Sequence, residues 1–280
     1  MNKNCIITGA TDGIGKQTAI ELAKLGYNLG LVGRNQEKGR LLIQEIEKIT
    51  GNQSIKYFNT DLSEIKKLKE LTSNIKNKFN SFDVLINNAG AYYSTFEKTQ
   101  EGLERTFALN HLSYFTLTHL LLDDLEKGKS SRVINVASAA HFSAKLDIND
   151  FQMKKKFKGW TAYCNSKLMN ILFTYEADKL FKGRGISFNS LHPGFVNTRF
   201  GDDNKGLGKN ILSIGKKLIA INVKKGASTN VFLASSSKVS KISGKYFAKS
   251  EVTKSSKISH SDSNQKRLWA YSKKIMNDLL

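Results

Sequence analysis

Residues 5–34 read CIITGATDGIGKQTAIELAKLGYNLGLVGR, and this stretch decides the fold. Cys5–Thr8 is a short apolar run of strand type, Ile14–Leu25 has helical apolar spacing, and Asn28–Val32 returns to strand. The first strand and helix are joined by Thr8-Gly9-Ala10-Thr11-Asp12-Gly13-Ile14-Gly15. Glycines there permit positive φ and bring backbone amides to a helix N-terminus, where partial positive charge gathers. Such a turn either simply connects strand to helix tightly or cradles the pyrophosphate of a dinucleotide. Its place in an N-terminal βαβ unit favours the second reading. The spacing is G-x-x-x-G-x-G, not the commoner G-x-G-x-x-G.

Outward from this unit the same alternation continues. It predicts a helix over Gln36–Ile49, a strand over Ile55–Asn59, a helix over Glu64–Phe79 and a strand over Val84–Ile86. A long helix follows over Glu101–Glu126, then a strand over Arg132–Val136, a helix over Thr161–Phe181 and a strand over Ile186–Leu191. Strands alternating with crossover helices give an α/β fold, a doubly wound parallel sheet with helices on both faces and a ligand crevice at the strands' carboxyl ends. Beyond Pro193 the rhythm loosens: residues 195–222 are expected to cover the substrate, and 235–262 to be loops and surface. Val223–Ala234 and Gln265–Leu280 are expected helices, with a last strand at Tyr246–Ala248. No repeat or linker divides the 280 residues, so a single domain spans 1–280.

Composition narrows the function classes. Forty per cent apolar residues exclude a disordered chain, and no run approaches the roughly 18 apolar residues of a membrane helix. With strand-like sequence from Cys5, neither a signal peptide nor a membrane anchor is expected, and a cytoplasmic location follows. Cys5 and Cys164 form no disulfide framework, and no pair of histidines has metal spacing, so no metal is expected. The net charge is +20, and residues 205–280 hold 16 basic but only 3 acidic side chains. Nucleic-acid clamps favour Arg, whereas 37 of the 44 cations are Lys; a solvated surface is expected, with no nucleic-acid partner.

The end of the second strand selects the dinucleotide. A carboxylate there would bond the ribose 2′-hydroxyl of NAD, and a cation would pair with the 2′-phosphate of NADP. The chain reads Leu31-Val32-Gly33-Arg34-Asn35, with no acid and an Arg within reach, which points to NADP(H). Asp61, after the third strand, is placed either to meet the adenine or to cap the next helix.

Tyr163-Cys164-Asn165-Ser166-Lys167 carries the chemistry. Positions four apart share a helix face, so the Lys167 ammonium is expected beside the Tyr163 phenol, where it would lower the pKa by about 3 units. Ser138 ends a strand at the crevice, where its hydroxyl could hold a carbonyl oxygen, and Asn87-Asn88-Ala89-Gly90 ends another. Asn110 stands mid-helix, a position its propensity disfavours.

This ordered set resembles the short-chain dehydrogenase/reductase family, on specific motifs over roughly residues 1–200. Gly33-Arg34-Asn35, Asn110-His111-Leu112, Ala140-His141 and His192-Pro193-Gly194 are similar to its retinol dehydrogenase-like, NADP-preferring branch. The resemblance implies a Rossmann-type sheet and an NADP(H)-dependent oxidoreductase moving a hydride between nicotinamide and the carbonyl or alcohol carbon of a small apolar substrate. It implies Tyr163 as acid/base, Lys167 lowering its pKa, Ser138 orienting the carbonyl and Asn110 placing a water. Gly9, Thr11, Asp12, Gly13, Ile14 and Gly15 would cradle the pyrophosphate, with Arg34 on the 2′-phosphate and Asp61 and Leu62 at the adenine. Asn88, Ala89 and Gly90 would meet the nicotinamide-side ribose, with Tyr163 and Lys167; Pro193, Gly194, Val196 and Thr198 would hold the nicotinamide and a phosphate. His141, Trp160, Phe195 and Phe200 are candidate substrate contacts beside Ser138. Association as a homodimer or homotetramer through the helices at 101–126 and 161–181 is also implied. The other class of reading is an NADPH-binding regulatory or scaffold protein whose basic C-terminal surface contacts a polyanion.

Overall fold

The computed structural model describes residues 3–128, 130–194 and 223–280. One sheet of eight strands runs through it in the order β3-β2-β1-β4-β5-β6-β7-β8. These are β1 (Asn4–Thr8), β2 (Asn28–Gly33), β3 (Ile55–Asn59), β4 (Val84–Asn87), β5 (Ser131–Val136), β6 (Ile186–His192), β7 (Lys245–Ala248) and β8 (Glu251–Thr253). All pairings are parallel except β7 with β8. The order reverses between β1 and β4, which puts the crevice between their carboxyl ends.

Alternation along the strands feeds two cores. Ile6, Leu85 and Val133 face one side; Cys5, Ile7, Val84, Ile86, Ile134 and Val136 face the other. Against the second side lie α1 (Gly13–Lys24) and α2 (Gln36–Thr50). The first side is covered by α3 (Lys67–Lys76), α4 (Arg105–Phe107), α5 (Ser113–Leu120), α6 (Leu122–Lys127) and α7 (Gly159–Leu180). Then α8 (Val223–Ser235) packs beside α1, where Asn230 donates to Thr18 at 3.2 Å, and α9 (Asp262–Leu279) packs on α7.

Three expectations are corrected. The helix expected over 101–126 starts at Arg105, is broken at Leu121, and carries a π-turn at Ala108–Leu112. Its start is fixed by buried Glu104, whose carboxylate accepts from the Thr106 and Phe107 amides at 2.7 Å each. Secondly, the stretch 235–262 is more than loops and surface: besides the expected last strand, found as β7, it holds β8, and the hairpin they form buries Tyr246 and Phe247. The expected last helix, α9, lays Trp269 against Phe115 and Phe173, at ring-centroid distances of 5.0 and 5.8 Å. Part of the surface of α5 and α7 is therefore packed against the chain's own last helix. Thirdly, α3 is shorter than expected, because Asp61 and Glu101 spend their carboxylates on the turn before it: Asp61 bonds Ser63, and Glu101 accepts from the Ile65 and Lys66 amides.

Candidate active site

The glycine turn has no room for a side chain at Gly9 or Gly15. Gly9 has φ +64°, and a Cβ there would meet the Ala89 Cα at 2.7 Å; at Gly15 it would meet the Gly9 oxygen at 2.2 Å. Asp12 caps α1 by accepting from the Gly13 amide at 2.8 Å, and the first turn of α1 holds no acid. Thr11 and Ile14 are half-buried in the same turn. The helix N-terminus, with Gly9 and Gly15 leaving its backbone uncovered there, suits a diphosphate. β4 closes the turn from beside it. Thr8 Oγ1 accepts from the Asn88 and Ala89 amides at 2.8 and 3.0 Å, and Asn88 Nδ2 donates to the Thr8 carbonyl at 2.9 Å. Thr8 was not singled out from the sequence as a site residue; its position at the tip of β1 beside the Asn-Asn-Ala-Gly run was the available signal.

Arg34 is exposed just past β2, where no carboxylate follows; Asn35 caps α2 through the Lys38 amide at 2.9 Å. Asp61 forms the turn described above, and Leu62 is a core residue at 4% exposure.

At the carboxyl ends of β4 and β5 the catalytic candidates converge. Tyr163 and Lys167 are buried on α7, with the Lys167 Nζ 5.7 Å from the Tyr163 ring centroid and donating to the Val136 carbonyl at 3.1 Å. A hydrogen bond joins the Tyr163 and Ser138 hydroxyls. Asn110 lies inside the π-turn, where the extra residue turns its amide toward Ala91. Its Oδ1 accepts from the Ala91 amide and its Nδ2 donates to the Ala91 carbonyl, both at 2.9 Å. Asn110 Nδ2 also donates to Ser166 Oγ at 3.0 Å, and Ser166 donates to the Tyr163 carbonyl at 2.7 Å. Gly90 completes the cluster: a Cβ there would lie 3.1 Å from Lys167 Nζ and 3.3 Å from Asn110 Oδ1. Ser166 was missed by sequence reasoning because its role needs Asn110, 56 residues away, as partner.

Burial acts on both ionisable groups. It pushes the Tyr163 phenol well above its ordinary range, opposed by the Ser138 hydrogen bond, and it lowers the Lys167 ammonium to about 8. The lowered phenol expected from the Tyr-Lys spacing is thus not what the structure gives, since desolvation outweighs the Ser138 hydrogen bond. Trp160, half exposed, stacks on Tyr163 at 5.8 Å, and Tyr92 meets it edge-on at 6.5 Å. His141, expected among the substrate contacts, is fully buried with both ring nitrogens engaged by backbone groups. Pro193 and Gly194 (φ +83°) follow β6 at the crevice rim. Phe195, Val196, Thr198, Phe200 and the segment 195–222 lie outside the described residues. Among the described residues, no three His, Cys, Asp or Glu side chains are grouped to hold a metal ion.

Comparison with known proteins adds the family. Human (Homo sapiens) retinol dehydrogenase 13 is 35% identical over 279 residues, covering 98% of this chain and 84% of that protein. Human polyprenol dehydrogenase is 34% identical over 280 residues, covering 95% and 83%. Among solved structures, a short-chain dehydrogenase from Sphingobium yanoikuyae in complex with NADPH superposes with a TM-score of 0.66 at 20% identity, over 82% of each chain. Residues 3–206 match the short chain dehydrogenase family. With a glycine cradle, a convergent Ser-Tyr-Lys-Asn cluster and these relatives, the chain belongs to the short-chain dehydrogenase family, on its retinol dehydrogenase-like side, and is an NAD(P)-dependent oxidoreductase.

Proposed function

We propose that this oxidoreductase uses NADP(H) and interconverts an apolar alcohol with its carbonyl compound, with Tyr163 as the acid/base. The observation that carries this reading is the bonded pair of Ser138 and Tyr163 hydroxyls backed by the Lys167 ammonium. Two hydroxyls meeting at one point can both reach a single substrate oxygen. In this reading Ser138 donates to that oxygen and orients it, while Tyr163 gives its proton to it in reduction or takes it in oxidation. Lys167 holds positive charge behind the phenol, and Asn110 with Gly90 fixes its surroundings. A bound nicotinamide would supply or accept the hydride at the substrate carbon.

The cradle of Gly9, Gly13 and Gly15 has the shape and polarity to hold a diphosphate, and Arg34 supports the phosphorylated cofactor because a guanidinium pairs bidentately with a phosphate. The NADPH-bound structural neighbour is consistent with that preference. Two relatives are named for retinol and polyprenol, both apolar alcohols, and exposed Trp160 beside Tyr163 offers an apolar wall for such a substrate. A cytoplasmic NADPH pool would favour reduction. Among the described residues no helix is long and apolar enough to cross a membrane.

Replacing Tyr163 by Phe tests this. Removing the acid/base is expected to lower kcat by at least about 100-fold with an unchanged NADPH Kd, measured across a panel of apolar aldehydes and ketones. A Tyr163→Phe enzyme that keeps wild-type turnover sinks the reading.

A further inference from the structure

We propose that His141 is a positioning residue that ties the catalytic serine to a C-terminal segment, residues 254–260. The inference rests on the role of Ser138 given above. The ring of His141 is fully buried directly after Ser138, in the 3-10 turn Ala139–Ser143. Its Nδ1 is 2.7 Å from the Ser138 carbonyl, and its Nε2 receives the Ser256 amide at 3.1 Å. A carbonyl can only accept and an amide N–H can only donate, so the two partners fix one neutral tautomer, with the proton on Nδ1. The backbone N–H of His141 also donates to the Ser138 carbonyl, at 3.1 Å. The main chain of Ser138 is thus held twice by one residue.

The far end of the tether is itself anchored. Ser255 Oγ lies 2.7 Å from the Tyr175 hydroxyl and 2.7 Å from Ser259 Oγ, and Ser259 donates to the Ser256 carbonyl at 2.6 Å. Tyr175 belongs to α7, the helix that carries Tyr163. His141 therefore closes a loop of contacts from Ser138 through the C-terminal segment to α7, which sets the position of the serine relative to the tyrosine. Tyr246 packs against the ring at 5.0 Å between centroids and seals it from solvent.

Only a shift of the Ser138 hydroxyl against Tyr163 is expected when the tether is cut, which lowers kcat and leaves cofactor binding alone. His141→Phe keeps an aromatic ring without its nitrogens, and His141→Gln restores one donor and one acceptor. Ser256 has φ −61°, so Ser256→Pro deletes the N–H with no change of φ, while Ser256→Ala keeps it. The inference expects His141→Phe and Ser256→Pro to lose about tenfold or more in kcat with NADPH Kd within about twofold, and Gln and Ala to stay near wild type. It is overturned if His141→Phe lowers only Tm at unchanged kcat, or if Gln is as defective as Phe. Should the Phe variant fail to fold, the Ser256 pair decides: equal kcat in Pro and Ala overturns the tether. Tyr163→Phe run alongside separates the two readings. Its retained turnover refutes the acid/base assignment, whereas its inactivity beside a fully active His141→Phe refutes only the tether.

Discussion

Acidification from pH 8 to pH 5 is expected to cost this protein about 4 kcal/mol of stability through two histidines. His111 and His141 are both fully buried, and burial lowers their pKa values to about 3 and about 4 from 6.5. The folded state thus refuses protons that the unfolded chain accepts below pH 6.5, so stability must fall as pH falls. The full contribution is present above pH 6.5. It is lost progressively below that value, the loss levelling off near pH 4 for His141 and near pH 3 for His111. At pH 5 each site lies 1.5 units below its unfolded value, worth about 2 kcal/mol at 1.36 kcal/mol per unit. For a chain of this size the pair would lower Tm by about 8–16 °C. Thermal or urea denaturation at pH 8, 6.5 and 5, followed by circular dichroism, reads this directly. His141→Gln should show a shallower pH dependence than the wild type. A wild-type protein whose stability changes by less than about 1 kcal/mol across that range, or a variant with the full wild-type slope, refutes the reasoning.

Other outcomes follow from the cradle and the ionisable pair. Gly15→Ala would force a Cβ to 2.2 Å from the Gly9 oxygen, which is backbone and cannot step aside; NADPH affinity by fluorescence titration should fall at least about tenfold. Arg34→Ala should lower kcat/KM for NADPH by about 10- to 150-fold, from a charge-assisted bond of about 1.5–3 kcal/mol, with little change for NADH; an unmoved NADPH-to-NADH ratio speaks against Arg34. Because burial lowers Lys167 to about 8, its charge is lost as pH rises through that value, so reductase activity should decline on the alkaline side. Lys167→Arg, charged at every accessible pH, should show lower activity without that decline.

The parts legible in the sequence are those written in local chemistry. Ile6-Ile7, Leu29-Leu31 and Val133-Ile134 announce strands because a parallel sheet buried on both faces needs unbroken apolar runs. Gly9 and Gly15 announce the cradle because no other side chain fits there. Most of what escaped is non-local. The π-turn at Ala108–Leu112 leaves the apolar spacing of 101–126 intact and is tied to Asn110 reaching the Ala91 backbone. β8 escaped because its hairpin turns on Lys249 and Ser250, at φ +50° and +65°, where Gly or Asn would have been the signal, and because Glu251–Thr253 is exposed. His141 read as a pocket residue by proximity to Ser138, yet its second partner sits 115 residues away.

The expected Tyr-Lys arithmetic and the observed burial also settle against each other in a way that bears on direction. An ammonium about 6 Å from a phenol, at an effective dielectric near 20, returns about 3 kcal/mol, or about 2 pKa units. Desolvation of a buried phenol takes back as much or more, so under the proposed role Tyr163 keeps its proton at neutral pH. Lys167, near 8, keeps its charge in about nine molecules of ten at pH 7. A protonated phenol backed by a cation and bonded to Ser138 is the state from which a proton is given, to the oxygen of a carbonyl being reduced. Alcohol oxidation starts instead from the phenolate, and burial makes that form the costly one. Under the proposed role, the same desolvation that defeats the simple pKa argument leaves the phenol in the form that gives a proton to a carbonyl oxygen.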